Sequence, residues 1–206
     1  CNLVSSVDGI IIFQPNQLFN INSVTNDIGI ASLKAFSKVK KNQIVASIKA
    51  IPFGIKKNKL QNIINVCQEC FKILPFQKKN IHLIQTTNQN TRTKILEKTL
   101  EVTKDRLSSC GIKKIVEKKC SHEIKSICTQ LKKSINENVD IILIFGTSAI
   151  SDINDIIPQS IIEINGTILR LGMPVEPGNL ILLANIKNSK KHISIIGMPG
   201  CARSKK

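Results

Sequence analysis

The sequence contains few aromatic residues and few acids. Seven of its 206 residues are Phe and none is Tyr or Trp, so a hydrophobic core has to be built from Ile, Leu and Val. Proteins that bind single-stranded nucleic acids stack the bases on aromatic side chains, so this scarcity argues against that function despite a net charge of +16. The excess charge comes mainly from lysine, and it serves a small anionic ligand equally well. A basic nucleic-acid-binding module remains the alternative of a different class.

The sequence also lacks a long apolar run and an amino-terminal signal segment. No stretch approaches the roughly 20 apolar residues that a membrane helix needs, which predicts a soluble, cytoplasmic protein with no membrane partner. The seven cysteines show no framework spacing, so we expect reduced thiols. The first residue is Cys1 rather than Met, and we therefore expect the chain to be a fragment of a longer or processed protein.

The first part of the chain, residues 1–77, has mixed α/β patterning. The segments "GIIIF" and "QIVASIKAIPFGI" predict strands. The stretch "LQNIINVCQECFKIL" then places apolar residues at helical spacing, which predicts a helix over residues 60–74. Cys67 and Cys70 form a CxxC pair in this helix. We interpret them as packing residues, with redox or metal chemistry as the open alternative. The polar segment "LPFQKKN" then predicts a linker between two domains, residues 1–77 and 78–206.

From Ile81 onward the pattern is a regular alternation of strands and helices. "IHLIQTT", "KKIVEKK" and "DIILIF" predict three strands separated by two helices, the first ended by Gly111 and the second capped by Ser121. This order predicts an α/β fold: a three-layer α/β/α arrangement around a mostly parallel sheet. The segment "IIEINGTILRLG" predicts a β-hairpin with a type I′ turn at Asn165-Gly166, opening a closing section rich in β-hairpins.

Ligands of open α/β sheets bind at the carboxyl ends of the parallel strands, and the loop "GTSAISDINDIIP" directly follows the most apolar strand. Its backbone and hydroxyl donors suit an anion such as phosphate; they belong to Gly146, Thr147, Ser148 and Ser151. Asp152 and Asp155 suit Mg²⁺ or the N–H groups of a heterocycle. The alternative is that one of these aspartates only caps the short helix that follows.

Two further loops have a similar character. "GMPVEPGN" holds two prolines and two glycines in eight residues, which predicts a rigid turn. "GMPGCARS" follows a predicted strand, and there Gly197 and Gly200 allow close backbone approach while Arg203 offers a guanidinium that can bind phosphate through two nitrogens. The sequence therefore predicts that three glycine–proline loops meet around one ligand.

The order and spacing of "GTSAISDINDIIP", "GMPVEPGN" and "GMPGCARS" resemble those of the molybdopterin-binding domain family. That family includes molybdopterin adenylyltransferases, molybdotransferases and the related domains of gephyrin. The chain most resembles the molybdopterin-binding half of bacterial proteins that continue into a nucleotidyltransferase domain of the molybdenum cofactor cytidylyltransferase type. "VASIKAIPFGI", "LEKTLEVTKDRLSSCG" and "KKCSHE" are also similar, so the resemblance extends from about Gly9 to Ser204.

The resemblance implies a domain that binds molybdopterin, with Mg²⁺ as a further cofactor, and presents it for nucleotidyl or molybdenum transfer. In this family Asp155 and Pro158 match an Asp-x-x-Pro element whose acid serves metal or pterin. Asp152 and Asp155 are the candidate metal ligands, and Asp155 is the best catalytic candidate. From the loops and the resemblance together, the candidate ligand-binding residues are Gly146, Thr147, Ser148, Ser151, Asp152, Asp155, Pro174, Pro177, Gly178, Pro199, Gly200, Arg203 and Ser204.

The chain departs from the adenylylating members of the family, which carry Gly-Gly-Thr-Gly where this sequence reads Gly-Thr-Ser-Ala. Fewer glycines leave less room for a nucleoside triphosphate, which favours a binding domain over an enzyme that adenylylates by itself. The expected partners are a covalently linked nucleotidyltransferase domain and further copies of the chain. The alternative of the same fold is a stand-alone transferase or an amidohydrolase-associated domain.

Other polar residues give weaker indications. Thr87, Asn88 and Arg92 follow a predicted strand and are placed to line the cleft. His122 is interpreted as a solvated or capping residue at a helix start, and neither His82 nor His192 has an acid nearby in sequence, so no catalytic triad is predicted. The lysine runs at 38–41, 56–59 and 189–191 are interpreted as solvated faces.

Overall fold

The computed structural model describes residues 1–24, 26–67, 70–188 and 191–205. The chain divides into two compact units, Cys1–Gln77 and Lys78–Lys206. In the part of the chain that is described, every helix is too short or too polar to cross a membrane. Some residues of the sequence features above lie outside the described ones, namely Gln68 and Glu69 of the CxxC segment and Ser189 and Lys190 of the last lysine run.

The first unit contains two small antiparallel sheets and two helices. Its elements are β1 (Asn2–Val4), β2 (Gly9–Ile12), α1 (Pro15–Val24), β3 (Ile28–Ser32), β4 (Lys38–Val39), β5 (Ile44–Ala50), α2 (Lys57–Cys67) and β6 (Lys72–Pro75). The strand orders are β1-β5-β3 and β4-β2-β6. One buried cluster joins Ile11, Val39 and Val45 from both sheets, and a second joins Ile30 of β3 to Ile63 of α2. The predicted strands "GIIIF" and "QIVASIKAIPFGI" are therefore present as β2 and β5.

The helix predicted over residues 60–74 ends at Cys67, so the second half of that prediction is wrong. Residues 72–75 instead form β6, which pairs with β2 with Leu74 opposite Ile10. A free strand edge more than 60 residues away in sequence thus overrides the local helical spacing. Cys70 is buried in the core next to these elements, and burial raises the pKa of its thiol, as expected for a packing residue.

The second unit contains a six-stranded sheet. Its elements are β7 (Ile81–Thr87), α3 (Thr93–Ser108), β8 (Ile115–Ser121), α4 (Ile124–Asn136), β9 (Ile141–Phe145), α5 (Ile156–Glu163), β10 (Thr167–Leu171), β11 (Leu182–Lys187), β12 (His192–Gly197) and a 3₁₀ turn, Gly200–Arg203. The strand order is β10-β11-β12-β9-β7-β8. β12, β9, β7 and β8 are parallel, and β11 runs opposite to the other five strands of this sheet. The predicted α/β class with a mostly parallel sheet is confirmed.

Helices cover both faces of this sheet. Alternate residues of a strand point to opposite faces, and Ile84 and Ile144 pack in one cluster with Leu131 of α4. Leu83 and Phe145 belong to a second cluster, against which α3 packs. Burying one such aliphatic side chain contributes about 1.5–3 kcal/mol to folding. The three-layer α/β/α arrangement thus follows from strands that are apolar on both sides.

Two details of the second unit differ from the predictions. The hairpin predicted at Asn165-Gly166 is wrong, because residues 156–163 form α5. Asn165 has a φ of 61°, but it serves to end that helix: the N–H of Asn165 bonds to the carbonyl of Ile162, and the N–H of Gly166 bonds to that of Ile161. The predicted capping role of Ser121 is also wrong, since Ser121 is the last residue of β8 and Glu123 is the residue that precedes α4.

Candidate functional site

The three predicted loops lie along one edge of the six-stranded sheet. The register pairs Gln85 of β7 with Phe145 of β9, and Ile144 of β9 with Gly197 of β12, so these parallel strands end together. Leu182, which opens β11, pairs with both Gly197 and Leu171, so the turn between β10 and β11 lies at the same edge. We call this the carboxyl edge. It is where open α/β sheets hold their ligands.

Arg203 joins the last of these loops to the first. Its Nη2 donates to the carbonyl oxygen of Gly146 at 2.8 Å, and its Nη1 donates to Oγ1 of Thr99 on α3 at 2.8 Å. Its guanidinium carbon lies 4.8 Å from the centre of the Phe145 ring, and burial lowers the pKa of the guanidinium. Both terminal nitrogens of Arg203 therefore donate hydrogen bonds to other residues of the protein. The residue also lines a cavity at this edge.

The two aspartates of the first loop accept hydrogen bonds from the loop itself. Oδ2 of Asp155 accepts from the backbone N–H groups of Ser151 at 2.7 Å and Asp152 at 2.9 Å. These bonds, first the one from Asp152, hold the pKa of the Asp155 carboxyl below its usual value. Asp152 accepts from the N–H of Asn154 at 2.7 Å. Asp155 occupies the position before α5, but its side chain makes no capping hydrogen bond to that helix.

The metal-binding role predicted for these two carboxylates stays a prediction. Among the described residues, no three His, Cys, Asp or Glu side chains are grouped closely enough to hold a metal ion. One carboxylate oxygen of each aspartate accepts backbone N–H groups of the loop, namely Oδ2 of Asp155 and Oδ1 of Asp152. Their observed role is to shape the loop that carries Gly146, Thr147 and Ser148.

His122 lies at the carboxyl edge, and its interpretation as a merely solvated or capping residue is wrong. Its Nδ1 is 2.9 Å from Oγ1 of Thr86 and its Nε2 is 3.3 Å from Oγ of Ser148. Thr86 Oγ1 also accepts from the N–H of Thr147 at 3.0 Å. The imidazole thus bridges the ends of β7 and β9. One signal was available in the sequence: His122 lies three residues after the predicted strand "KKIVEKK", near the strand ends where open α/β sheets bind their ligands.

Two cavities open at this edge. The Arg203 cavity has a volume of about 340 Å³ and is lined by Thr86, Asn88, Asn90, Thr91, Ile95, Leu96, Thr147 and Arg203. The His122 cavity has a volume of about 550 Å³ and is lined by Thr87, Asn88, Gln89, Asn90, Ser121, His122 and Glu123. Both share Asn88 and Asn90, so one short loop separates them. Most of the lining residues carry amides or hydroxyls, Arg203 adds a cation to the first cavity and Glu123 an acid to the second, which suits a polar ligand whose anionic end lies beside Arg203.

The separating loop is already folded by its own hydrogen bonds. Oδ1 of Asn88 accepts from the N–H of Asn90 at 3.1 Å and from the hydroxyl of Thr91 at 2.8 Å. Oγ1 of Thr91 accepts in turn from the N–H of Asn88 at 2.9 Å. A loop held in this way loses little conformational freedom when a ligand binds.

The remaining predicted site residues lie at the carboxyl edge in two places. Pro199 precedes the 3₁₀ turn, and the backbone oxygen of Ser204 just after it accepts from Nη2 of Arg106 at 2.6 Å. Pro174, Pro177 and Gly178 lie in the turn between β10 and β11, which is beyond β12 from the two cavities. Arg92 and Arg203 line a small further cavity beside α3. The strongest grouping is therefore Gly146, Thr147, Ser148 and Arg203 with Thr86 and His122.

The pH dependence of stability should report on His122. Burial lowers the pKa of its imidazole below 6.5, and the charge of Asp155 opposes this only in part. Neutral His122 therefore stabilises the fold above pH 6.5, and this contribution is lost as the pH falls through the lowered pKa. His82, whose pKa burial also lowers, acts in the same direction. We expect the unfolding free energy to fall between pH 7 and pH 5, and less steeply in His122→Asn, as measured by urea unfolding.

His192→Asn is the matched control for that experiment, because His192 lies at the exposed start of β12. It should leave the unfolding free energy at pH 7 within about 0.5 kcal/mol of the parent, as an exposed substitution does. A slope in His122→Asn equal to that of the parent protein would contradict the assigned burial of a neutral imidazole.

Comparison with known proteins gives fold-level similarity only. No protein-family model and no curated protein matches the chain. Two crystal structures are among those that are similar in fold. The tungsten cofactor synthesizing protein MoaB from Pyrococcus furiosus is 14% identical, with a TM-score of 0.43 over 60% of this chain and 83% of that chain. Molybdenum cofactor biosynthesis protein B is 14% identical, with a TM-score of 0.45 over 63% of this chain and 86% of that chain. At this distance neither match decides the ligand of this chain.

Proposed function

We propose that this chain binds molybdopterin in molybdenum cofactor biosynthesis and presents it for nucleotidyl or molybdenum transfer. The observation that carries the proposal is the bond from Arg203 to the Gly146 carbonyl, because it brings two of the three family-like loops together beside one cavity. Molybdopterin has an anionic phosphate at one end and a ring rich in hydrogen-bonding groups at the other. The Arg203 cavity, which holds a cation, and the His122 cavity, which is lined mainly by amides and hydroxyls, match that division.

Positive charge supports the choice of an anionic ligand. Arg92, Lys94, Lys98 and Arg203 line the small cavity at the amino-terminal end of α3, next to the Arg203 cavity. The amino-terminal end of a helix adds its own partial positive charge. In this proposal Arg203 and the Thr147 loop face the phosphate, while Asn88 and Asn90 contact the pterin ring through amide groups.

Binding of Mg²⁺ by Asp152 and Asp155 stays a prediction from the family resemblance, and each aspartate uses one carboxylate oxygen to accept loop N–H groups. Positioning and charge neutralisation are the contributions that remain for this chain. Transfer itself is assigned to a covalently linked nucleotidyltransferase domain. That linkage, like assembly into a homo-oligomer, is a prediction from the family resemblance.

Calorimetric titration with molybdopterin in the absence of oxygen tests the ligand. We expect saturable binding that inorganic phosphate weakens, because both anions compete for the Arg203 cavity. Asn90→Ala removes an amide that lines both cavities and should lower the affinity about tenfold, as the loss of one hydrogen bond does. Asn136→Ala, an exposed amide at the end of α4, is the matched control and should bind as the parent does.

Three outcomes would count against the proposal. Absence of saturable binding would reject molybdopterin as the ligand. Equal molybdopterin affinity in Asn90→Ala and the parent would show that the ligand does not bind in these two cavities. Turnover of ATP with molybdopterin by this chain alone would show that it is a transferase of the same fold and not only a binding domain.

A further inference from the structure

Another cavity lies at the opposite edge of the sheet, where β7 and β8 begin. It has a volume of about 530 Å³, within the range of small-molecule sites. Ile81 and Ile115 are paired at this edge, so the segments that lead into the two strands come together there. Each segment brings two consecutive lysines, Lys78-Lys79 and Lys113-Lys114. We call this the lysine cavity. It is separate from the carboxyl edge and does not depend on the function proposed above.

The lining of the lysine cavity is strongly positive. Among the described residues, no carboxylate oxygen lies within 4.0 Å of the ammonium group of any of the four lysines. The acid in the lining is Glu137, and both of its oxygens are bound by Lys118 at 2.9 Å. Asp140 lies near Lys79, but its carboxylate is paired with Lys191 at 2.6 Å. The four exposed ammonium groups repel one another, so an anion between them would be stabilised.

A buried polar group faces the same cavity without a partner. His82 contributes to the lining and is only 4% exposed. Its Nδ1 has no hydrogen-bond partner among the described residues, and its Nε2 is 3.9 Å from Oε2 of Glu137. Buried polar atoms are nearly always hydrogen-bonded, and an unpaired one calls for an explanation. A ligand, or a water molecule held beneath it, would supply the missing bond.

From these observations we infer that the lysine cavity binds a small anion with two or three linked phosphate groups. Four lysines from two strand starts can neutralise several phosphate charges at once, and lysine binds phosphate as a point charge. The concave shape, with Ile81 and Val116 in the wall, favours a compact ligand over an extended nucleic-acid strand. Among the described residues that line the cavity there is no Phe, Tyr or Trp, and the ring of His82 is buried, so base stacking has no platform there.

Titration with inorganic triphosphate, followed by two-dimensional amide NMR and calorimetry, tests this site. Saturable shifts are expected at residues 78–82 and 111–114. Lys113→Gln with Lys114→Gln should weaken triphosphate affinity by about tenfold or more, through two lost charge contacts. The matched control is Lys104→Gln with Lys132→Gln, which removes the same charge from exposed positions on α3 and α4. It should change the affinity by less than about twofold, because exposed distant charges are screened.

The outcomes separate the possibilities. Equal weakening in both double variants would overturn the proposal in favour of a general charge effect. Shifts confined to residues 146–148, or no saturation, would overturn it as well. Binding of an oligonucleotide but not of triphosphate, lost in the Lys113 and Lys114 variant, would assign the surface to nucleic acid instead. Loss of molybdopterin binding in other variants leaves this test unaffected, since triphosphate is the probe and the reporting amides lie at the opposite edge.

Discussion

Replacing Arg203 by alanine is expected to lower molybdopterin affinity about 100-fold, or ~2.7 kcal/mol. The substitution removes a cation from the cavity wall and releases the Gly146 carbonyl and the Thr99 hydroxyl, which Arg203 binds at 2.8 Å. The first and last loops then lose the bond that joins them. The same change should lower the unfolding free energy by about 2–4 kcal/mol, because two hydrogen bonds to a charged, half-buried group are lost. Calorimetry and urea unfolding measure the two effects separately.

Arg106→Ala is the matched control, because Arg106 holds the same carboxyl-terminal segment from outside the cavity. It donates to the backbone oxygens of Ala202 and Ser204. If Arg203 neutralises the ligand phosphate, the Arg106 variant keeps most of the affinity and only the Arg203 variant loses it. Arg203→Lys should fall between them, since it keeps the charge but not the planar fork. Parent-like affinity in Arg203→Ala would contradict the proposed site.

Replacing Leu131 by alanine should give the largest loss of stability, about 2–5 kcal/mol of unfolding free energy. Leu131 is fully buried on α4 and packs with Ile84 and Ile144 of the sheet, so truncation leaves a cavity between the two layers. Denaturant unfolding followed by circular dichroism measures the loss. The neighbouring exposed Lys132, changed to alanine, is the control and should remain within about 0.5 kcal/mol of the parent. A loss below about 1 kcal/mol in Leu131→Ala would contradict the tight packing of α4.

The parallel part of the sheet was predictable because its patterns are local and repeated. The buried run that became β9 and the stripe containing Ile127 and Leu131 need no distant information. The errors occur where two structures share one local signal. Asn165-Gly166 suits both a tight hairpin turn and the end of a helix, and only the pairing of β10 with β11 decides between them. The end of α2 was likewise decided by β2, which is distant in sequence.

The location of the candidate site was predictable, but its internal contacts were not. The rule that ligands bind at strand carboxyl ends identified the loops of Gly146 and Arg203. It did not reveal that Arg203 would reach Thr99, 104 residues away, or that Asp155 would bind its own loop. Such contacts depend on side-chain directions set by the packed structure. His122 was misjudged for the same reason, because its partners are Thr86 on β7 and Ser148 in the loop after β9.

The position of β12 has a consequence for biosynthesis. This strand is the last of the chain to be translated among those described, yet it lies between β9 and β11 in the sheet. Until residues 192–197 leave the ribosome, both neighbours present open backbone edges, which are templates for misplaced pairing between nascent chains. Chains that terminate early should therefore aggregate, and a chaperone that shields strand edges during synthesis should raise the yield of the native protein.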